Sequence, residues 1–303
     1  MIEQLELEIE ELTRKAEEID SVPLDDGLTL PDELKRRKDR KASLEKAREV
    51  IEERYEEVKQ EKQVEYEKKR DAREEQRKNG KKPRGKDPKP PAEKPPGKSQ
   101  YNFTDAESRI MKAGNSNHFE QAYNAQAAVD TEGSMFILGG YVTDHANDMR
   151  ELHPVVESVA PEAREMNDVY ADTGYFSEAA VEKVENDEQG VTVYCAIEKQ
   201  DHHRSVDDLM KKTDPVPPAD DAPIKDQMAY RLATKEGREK YKKRKETAEP
   251  VFGIIKSVIG FRQFLLRGLD KVNLEWDLVT LSYNFKRLHK ITGGKLIPAS
   301  SGT

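Results

Sequence analysis

Residues 79–99, with the sequence NGKKPRGKDPKPPAEKPPGKS, divide this chain into two parts of different composition. Proline, glycine and lysine make up most of the segment, and it has no apolar periodicity with which it could pack on a core. We therefore predict a disordered, semi-extended linker. It separates a helical region at 1–78 from an α/β domain at 100–292, which is followed by a flexible tail at 293–303.

The region before the linker has the periodicity of paired helices. Apolar residues recur there at alternating spacings of three and four, in the order Ile2, Leu5, Ile9, Leu12, Ala16 and Ile19. Glu and Lys fill the positions between them, which predicts a coiled-coil-like helix. A second helix from about Asp32 has an apolar face made of Leu44, Ala47, Ile51, Tyr55 and Val58. The two helices could pair as an antiparallel hairpin, or each could pair with another chain.

The region after the linker alternates strands with helices. Two apolar segments on either side of a Thr-Glu-Gly turn predict an antiparallel hairpin at 123–130 and 134–143. Short apolar runs predict buried strands, and 3.6-residue periodicity predicts helices. The strands are expected at 168–172 and 191–197, and the helices at 147–159, at 177–187 with Ser177 as its N-cap, and from about Lys235 onward. This order predicts a mixed sheet flanked by helices.

Composition excludes several classes of protein. No apolar run approaches the roughly 18 residues that span a bilayer, and the acidic start does not suit a secretory signal. One cysteine, Cys195, excludes an internal disulfide framework, so we expect a cytoplasmic protein without membrane contacts. The net charge of -8 argues mildly against a nucleic-acid partner, although a carboxylate metal site itself requires acidic residues.

Three acidic residues stand at positions suited to chemistry. Asp130 and Asp172 each end a predicted strand, where a side chain is held rigidly yet reaches a surface cleft, and Glu249 lies in a later helical segment. Three carboxylates in one cleft would repel each other, and Mg²⁺ ions would remove that repulsion. A chain with 60 acidic residues contains many such sets, however, and an Asp after a strand is often only a turn residue.

Three sequence blocks add a resemblance to a known family. NFTDAESRIMK leading into FEQAYNAQAAVD, then YADTGYFS, then AEPVFGIIKSVIGFRQFLLRGLDKV are similar to the catalytic blocks of DDE transposases. These enzymes come from bacterial and archaeal insertion sequences, and the similarity is to the branch with a Tyr–Arg–Glu–Lys signature. It covers roughly residues 101 to 290. The resemblance implies an RNase H-like fold, with Asp130, Asp172 and Glu249 as the catalytic ligands of Mg²⁺, for which Mn²⁺ would substitute.

The Tyr–Arg–Glu–Lys signature is present with one departure. Tyr241, Arg244 and Lys256 fit its spacing, but four residues rather than three separate Arg244 from Glu249. On one continuous helix, Lys245 and Lys256 would lie near the face of Glu249, and Arg244 would point about 140° away. A break at the following proline could return Arg244 to that face. The resemblance implies that Tyr241, Arg244, Lys245 and Lys256 bind DNA phosphates, with either Arg244 or Lys245 in the arginine role.

The resemblance further implies DNA transposition, by metal-dependent cleavage and strand transfer at the ends of an insertion sequence. Its partners would be double-stranded DNA, as transposon ends and target, and further copies of the chain in a synaptic complex, as a homodimer or higher oligomer. We expect a nucleoid-associated protein, in which the lysines of 79–99 either contact DNA or are simply solvated. One alternative is a truncated or degenerate transposase that binds DNA or partners without cutting, because no helix-turn-helix precedes the catalytic blocks. Another, a structural coiled-coil protein, explains only residues 1–78.

Other candidate residues have simpler interpretations. Asp201, His202 and His203 have no second ligand group at zinc-like spacing and are expected in an exposed loop. Cys195 and Trp276 stand among apolar residues and are expected in the core, rather than as a nucleophile and a base-stacking ring. Two glycine pairs match no phosphate-binding motif and are expected in a bulge, Gly139-Gly140, and in the tail, Gly293-Gly294.

Overall fold

The computed structural model describes residues 2–18, 30–80, 83, 85–112, 118–187, 190–198, 214–219 and 221–294. These residues belong to two compact units, 1–106 and 107–303. The predicted loop pair His202 and His203, with Asp201, lies outside the described residues.

The first unit is built on two helices, α1 (Ile2–Glu18) and α2 (Leu30–Lys78). Ion pairs join Arg37 to Glu8 at 2.9 Å and Lys41 to Glu6 at 2.9 Å. The later residue of α2 is paired with the earlier residue of α1, so the two helices are antiparallel. Of the two arrangements that the sequence allows, the structure has the hairpin. Its most buried apolar side chains are those of Leu5 and Ala47.

The segment after α2 has no helix or strand over residues 85–100. Asp87 accepts hydrogen bonds from Arg73 and Arg77, both at 2.8 Å, and Tyr55 donates one to the carbonyl of Ala92 at 2.8 Å. These contacts lie along α2, and the exposed ion pairs among them add little stability.

The second unit begins with two antiparallel hairpins. The first pairs β1 (Arg109–Lys112) with β2 (Phe119–Ala122), and nothing in the sequence pattern predicted it. The second pairs β3 (Asn124–Val129) with β4 (Ile137–Thr143), which confirms the predicted hairpin.

The glycine pair of β4 stands at a bulge, as predicted. Ala128 is paired with Gly139 and Val129 with Ile137, so one residue of β4 has no opposite partner. A Cβ on Gly139 would lie 2.5 Å from the carbonyl group of Ser158, and on Gly140 it would lie 2.6 Å from a carbonyl oxygen of β3. Only glycine permits these close approaches.

A parallel pair of strands follows, β5 (Asp168–Ala171) and β6 (Thr192–Cys195). The connecting helix α4 (Glu178–Asp187) begins at Ser177, whose hydroxyl accepts a hydrogen bond from the N–H of Ala180 at 3.1 Å. This strand–helix–strand unit and its N-cap confirm the prediction.

Helix α3 (Leu152–Glu157) is shorter than the predicted span of 147–159. The side chain of Asn147 accepts a hydrogen bond from the N–H of Met149 at 3.2 Å, and the carbonyl of Asp148 accepts one from the N–H of Glu151 at 3.0 Å. These bonds form a turn in which the backbone is not yet helical, so the helix starts later.

Three helices complete the described chain: α5 (Ile224–Ala233), α6 (Lys235–Ile254) and α7 (Leu269–Ile291). A π-helical turn, Ile255–Ile259, continues α6. The prediction of helix from Lys235 onward is correct except between Gly260 and Gly268, where both glycines have positive φ. No helix among the described residues is long and apolar enough to cross a membrane.

The strands do not form the single mixed sheet that was predicted. Within the described residues they form three separate pairs, β1–β2, β3–β4 and β5–β6. A cavity separates β3 from β5, and side chains of both strands line it. Two apolar cores lie on either side: one is centred on Val184, Val193 and Cys195, and the other on Val251, Val272 and Trp276. The mixture of helices and small sheets is that of an α/β protein.

Candidate carboxylate site

A cavity of about 700 Å³ lies between the carboxyl ends of β3 and β5 and the side of α6. Its lining includes all three predicted carboxylates, Asp130, Asp172 and Glu249, together with Arg244 and Lys256. Residues far apart in the sequence thus line one space, with Asp130 just after β3, Asp172 just after β5 and Glu249 on α6.

Asp130 follows β3 directly and is tied into the hairpin turn. Its carboxylate accepts hydrogen bonds from the N–H of Glu132 and the N–H of Ser134, both at 3.0 Å, and from the hydroxyl of Ser134. Burial opposes ionisation of this group, but these bonds and one from the backbone of Met135 outweigh it, so the pKa of Asp130 is lowered. Asp130 is therefore both a turn residue and a lining residue of the cavity.

Asp172 follows β5 and begins the short 3₁₀ turn Thr173–Tyr175. One carboxylate oxygen accepts a hydrogen bond from the N–H of Thr173 at 2.7 Å. The backbone carbonyl of Asp172 accepts from the thiol of Cys195 on β6 at 3.1 Å. The backbone is held on both sides, while the Asp172 side chain stays 60% exposed.

A buried polar group, which sequence reasoning missed, holds the turn after Asp172 against β3. Gln126 on β3 is 1% exposed and accepts a hydrogen bond from the hydroxyl of Tyr175. The Gln126 amide donates to Asp148 at 2.9 Å, and Asp148 also lies under Gly174, where a Cβ would come within 3.2 Å of its carboxylate. The alternating pattern of β3 marks Gln126 as an inward-facing position, and a polar side chain there was the available signal.

Arg244 lies between two of the three carboxylates. Its Nη1 is 3.4 Å from Oδ2 of Asp172, and its Nη2 is 3.1 Å from Oε1 of Glu249. Asp172 and Glu249 are about as exposed as each other, at 60% and 57%, whereas the arginine side chain is 15% exposed. The guanidinium therefore supplies a buried positive charge that the two carboxylates share.

The expectation from ideal helix angles that Arg244 points away from Glu249 does not hold. Helix α6 is continuous through Pro250, so no break returns Arg244 to the face of Glu249. Instead the long side chains of Arg244 and Glu249 cover the angle between them and meet at the cavity. The guanidinium carbon also lies 5.6 Å from the ring centroid of Tyr241, one turn earlier on α6. Burial raises the pKa of the Tyr241 hydroxyl, and Arg244 offsets part of that rise.

Arg244 retains one unsatisfied donor. Its Nε is buried and has no hydrogen-bond partner among the residues that the structure describes. A buried donor without a partner is costly, so such an atom requires an explanation.

The two lysines of the predicted set differ in position. Lys256 lies in the π-helical turn after α6 and lines the cavity, while Lys245 is exposed on α6 and is absent from the described lining. The structure therefore brings Arg244 and Lys256 to the carboxylates and leaves Lys245 outside.

Two further lysines fasten α6 to the strands. Lys240 lies 3.2 Å from the carboxylate of Asp168 at the start of β5, and Lys243 lies 2.8 Å from Glu132 in the turn after β3. Burial lowers the pKa of Lys240, but Asp168 and the other hydrogen-bond partners of the ammonium raise it by more. The pKa of Lys240 is therefore above its ordinary value. These ion pairs hold α6 across the gap between β3 and β5.

The donor atoms suit a divalent cation in their chemistry but do not converge. Carboxylate oxygens are the ligands that Mg²⁺ prefers, and Arg244 already places positive charge between Asp172 and Glu249. In the part of the chain that the structure describes, however, no group of three His, Cys, Asp or Glu side chains is positioned to hold a metal ion. Asp130 is bonded into its own turn, and Arg244 is bonded to Asp172 and Glu249. The three carboxylates therefore do not converge on one position.

Cys195 and Trp276 lie in the core, as the sequence predicted. Cys195 is completely buried, and burial raises the pKa of its thiol to about 12, so the thiol stays protonated at neutral pH. Trp276 is 2% exposed, stacks on Phe252 with ring centroids 6.0 Å apart, and donates a hydrogen bond to the carbonyl of Gln126 at 3.0 Å. Both are core residues.

Comparison with known families gives a match, over residues 218–289, to a family described as "Transposase DDE domain". The matched residues run from the loop before α5 almost to the end of α7, and they include Tyr241, Arg244, Glu249 and Lys256. Asp130 and Asp172 lie outside the match. No curated protein and no solved structure matches the chain.

Proposed function

We propose, from the match of residues 218–289 to the transposase DDE domain family, that the chain is a metal-dependent transposase that cleaves DNA and transfers strands at insertion-sequence ends. The observation that carries this proposal is the shared cavity. Asp130 and Asp172, outside the matched segment, face the same space as Glu249 within it. We accordingly propose an RNase H-like placement of the three carboxylates, at two strand ends and on a following helix.

In this proposal Asp130, Asp172 and Glu249 would hold two Mg²⁺ ions, or Mn²⁺ as a substitute. Bound there, the ions would stabilise the attacking and leaving oxygens of a phosphodiester. The chain's own residues supply positioning. The bond from Cys195 to the Asp172 carbonyl fixes the backbone at Asp172, and the bonds within the Asp130 turn hold the Asp130 carboxylate in place.

Arg244 has two successive tasks in the proposed cycle. Before metal and DNA bind, its guanidinium neutralises Asp172 and Glu249. With those carboxylates holding a cation, the Arg244 guanidinium would be free to bind a DNA phosphate, because its planar fork of donors suits two phosphate oxygens. The buried, unsatisfied Nε supports this role, because release of the guanidinium would let that donor gain a partner.

The remaining DNA contacts would come from Lys256 and Lys245. Lys256 lines the cavity and would meet a phosphate near the carboxylates, while the exposed Lys245 would meet one further away. Tyr241 supports Arg244 through its ring and would reach DNA only beside it. Arg244, rather than Lys245, fills the arginine role in this proposal. Double-stranded DNA is the partner, and joining two ends requires at least two copies of the chain.

A second candidate is a transposase-derived protein that binds DNA without cutting it. One observation favours it: Arg244 occupies two of the three carboxylates, and Asp130 is fully engaged in its turn. A protein in which this arrangement is permanent would not recruit a metal ion.

Calorimetry with Mn²⁺ and nicking of supercoiled plasmid, on the same preparation, separate the two candidates. We expect the wild-type chain to bind Mn²⁺ and to nick plasmid only with Mg²⁺ or Mn²⁺ present. Asp172→Asn should lose both, and Asp39→Asn on α2 serves as a matched control that should lose neither. Metal binding without nicking would favour the non-cutting candidate. No metal binding, even with DNA present, would contradict the three-carboxylate assignment.

A further inference from the structure

The strands β3 and β5 lead to two of the three candidate carboxylates, but no strand pairing fixes the distance between them. Asp130 comes just after β3 and Asp172 just after β5. Within the described residues these strands belong to separate pairs, so the hydrogen bonds that space neighbouring strands of one sheet are missing between them. The distance between the two carboxylates therefore depends on side-chain contacts.

A hydrogen bond between Tyr175 and Gln126 connects the two strand ends. The Tyr175 hydroxyl, three residues after Asp172, donates to Oε1 of Gln126, four residues before Asp130. The backbone N–H of Tyr175 donates to the Asp172 carbonyl at 3.0 Å. Gln126 is 1% exposed, and its backbone carbonyl accepts a hydrogen bond from the indole of Trp276 at 3.0 Å. The bond therefore joins the turn that begins at Asp172 to a strand that is anchored in the second core.

Asp148 determines which end of the Gln126 amide faces Tyr175. Its Oδ1 accepts hydrogen bonds from Nε2 of Gln126 at 2.9 Å and from the side-chain amide of Asn124 at 2.7 Å. A carboxylate only accepts, so the NH₂ group of Gln126 faces Asp148 and the amide oxygen is left for the tyrosine hydroxyl. Burial and the nearby carboxylates raise the pKa of Tyr175, so its hydroxyl keeps the proton that it donates. Donor and acceptor roles are thus fixed from Asn124 to Tyr175.

We propose that Gln126, Tyr175 and Asp148 are positioning residues that set the separation of Asp130 and Asp172, and with it the spacing of the metal ions. Ions of a two-metal site lie about 3.5–4 Å apart, so a displacement of the Asp172 turn by about 1 Å would weaken metal binding and slow the reaction. The three residues act through the two aspartates and not by contact with DNA. Their role rests on the proposed metal site, but the link between Tyr175 and Gln126 can be measured without metal or DNA.

Amide hydrogen exchange of the full chain tests the link. Tyr175→Phe removes one oxygen atom and keeps the ring. We expect the backbone amide at position 175 to exchange about tenfold faster in this variant, because loss of the hydrogen bond eases local opening of the turn. The amide of Val193, in the core of β6, reports on global unfolding and should be unchanged. Tyr55→Phe on α2, which loses a hydroxyl bond of 2.8 Å to the carbonyl of Ala92, is the control and should change neither amide. Equal exchange at position 175 with and without the hydroxyl overturns the proposal.

A double-mutant cycle on plasmid nicking tests the positioning role. Tyr175→Phe and Gln126→Met each remove the same hydrogen bond. We expect the Mn²⁺ concentration for half-maximal nicking to rise about tenfold in either variant, and the double variant to match Gln126→Met alone. Loss of folded protein would lower the maximal rate without moving that concentration.

The outcomes separate this role from the proposed function. If the wild type nicks plasmid, an unchanged Mn²⁺ requirement in both single variants, or additive effects in the double variant, overturns the positioning role alone. A wild-type chain that does not nick plasmid contradicts the proposed function and, with it, the positioning of metal ions. The exchange rate at position 175 then still decides whether Tyr175 ties the Asp172 turn to β3.

Discussion

Arg244 and Glu249, five residues apart on one continuous helix, form an ion pair of 3.1 Å at the mouth of the cavity. The same guanidinium reaches Asp172, so one arginine holds carboxylates from a strand end and from a helix. The guanidinium thereby neutralises part of the negative charge that the fold places at Asp172 and Glu249. The arginine of the proposed DNA-binding set is thus also the group with which any metal ion must compete.

Removing this arginine should tighten metal binding when DNA is absent. Arg244→Ala leaves Asp172 and Glu249 without their shared positive charge, so we expect about tenfold higher Mn²⁺ affinity by calorimetry. DNA nicking should fall, because the proposed phosphate contact is lost. Arg244→Lys keeps the charge and should bind Mn²⁺ with nearly wild-type affinity. Lys242→Ala, an exposed change on the same helix, is the control. Unchanged Mn²⁺ affinity in Arg244→Ala would mean that the guanidinium does not compete.

Loss of the Ser134 hydroxyl should raise the pKa of Asp130. The folded-state pKa of this carboxyl lies below its ordinary value of 3.8, chiefly through hydrogen bonds from Ser134. A depressed pKa contributes stability that is present above the unfolded value and is lost as pH falls through the folded one. Ser134→Ala should therefore cost about 1 kcal/mol at neutral pH and less in acid. Carboxyl NMR titration and urea unfolding measure the two effects.

The matched control for that change is Ser282→Ala. Its hydroxyl bonds only the backbone of its own helix, at Leu278, and lies on the surface. Equal destabilisation of both variants at neutral and acid pH would show that the Asp130 turn makes no pH-dependent contribution.

Truncation of Trp276 should destabilise the second unit strongly. The ring is buried, stacks on Phe252 and bonds the carbonyl of Gln126, so Trp276→Ala creates a cavity and an unsatisfied acceptor. We expect a loss of about 3 to 5 kcal/mol in the free energy of unfolding. Trp276→Phe should lose less, because it keeps most of the packing. Chemical denaturation followed by circular dichroism makes the comparison, and equal losses would mean that packing contributes little there.

A side chain at position 139 should not be tolerated. The Cβ of Gly139→Ala would lie 2.5 Å from the carbonyl carbon and oxygen of Ser158, which are backbone atoms that cannot move aside cheaply. We expect a loss of stability of more than about 2 kcal/mol from this overpacking. Gly97→Ala, where nothing lies within 4 Å, is the control and should be neutral or slightly stabilising. A thermal melt of both variants suffices, and similar melting temperatures would contradict the close approach.

Much of the local structure follows from pattern alone. The antiparallel hairpin at β3 and β4, the strand–helix–strand unit of β5, α4 and β6, and the N-cap at Ser177 were predictable, since alternation, periodicity and turn residues are local signals. The β1–β2 hairpin was not predicted, because its strands are short and largely exposed, and such strands have little hydrophobic pattern.

The arrangement of the candidate site was predictable only in part. Strand ends marked Asp130 and Asp172 as positions that reach a surface cleft, and the sequence blocks added Glu249. Helical angles pointed Arg244 away from Glu249, and the structure brings the two together. A helical wheel gives the direction of each Cα, but the arginine side chain is long enough to reach round the helix to Glu249.

The sequence by itself determined most of the helices and strands, that Cys195 and Trp276 are core residues, and that Asp130 and Asp172 stand at strand ends. Those properties depend on neighbours within a few positions along the chain. Only the tertiary structure decided that the strands form separate pairs around a cavity, that Gln126 and Asp148 hold the turn after Asp172, and that Leu274, Leu278 and Leu281 on α7 are exposed. These depend on contacts between segments far apart in sequence, where packing and charge pairing among many alternatives set the outcome.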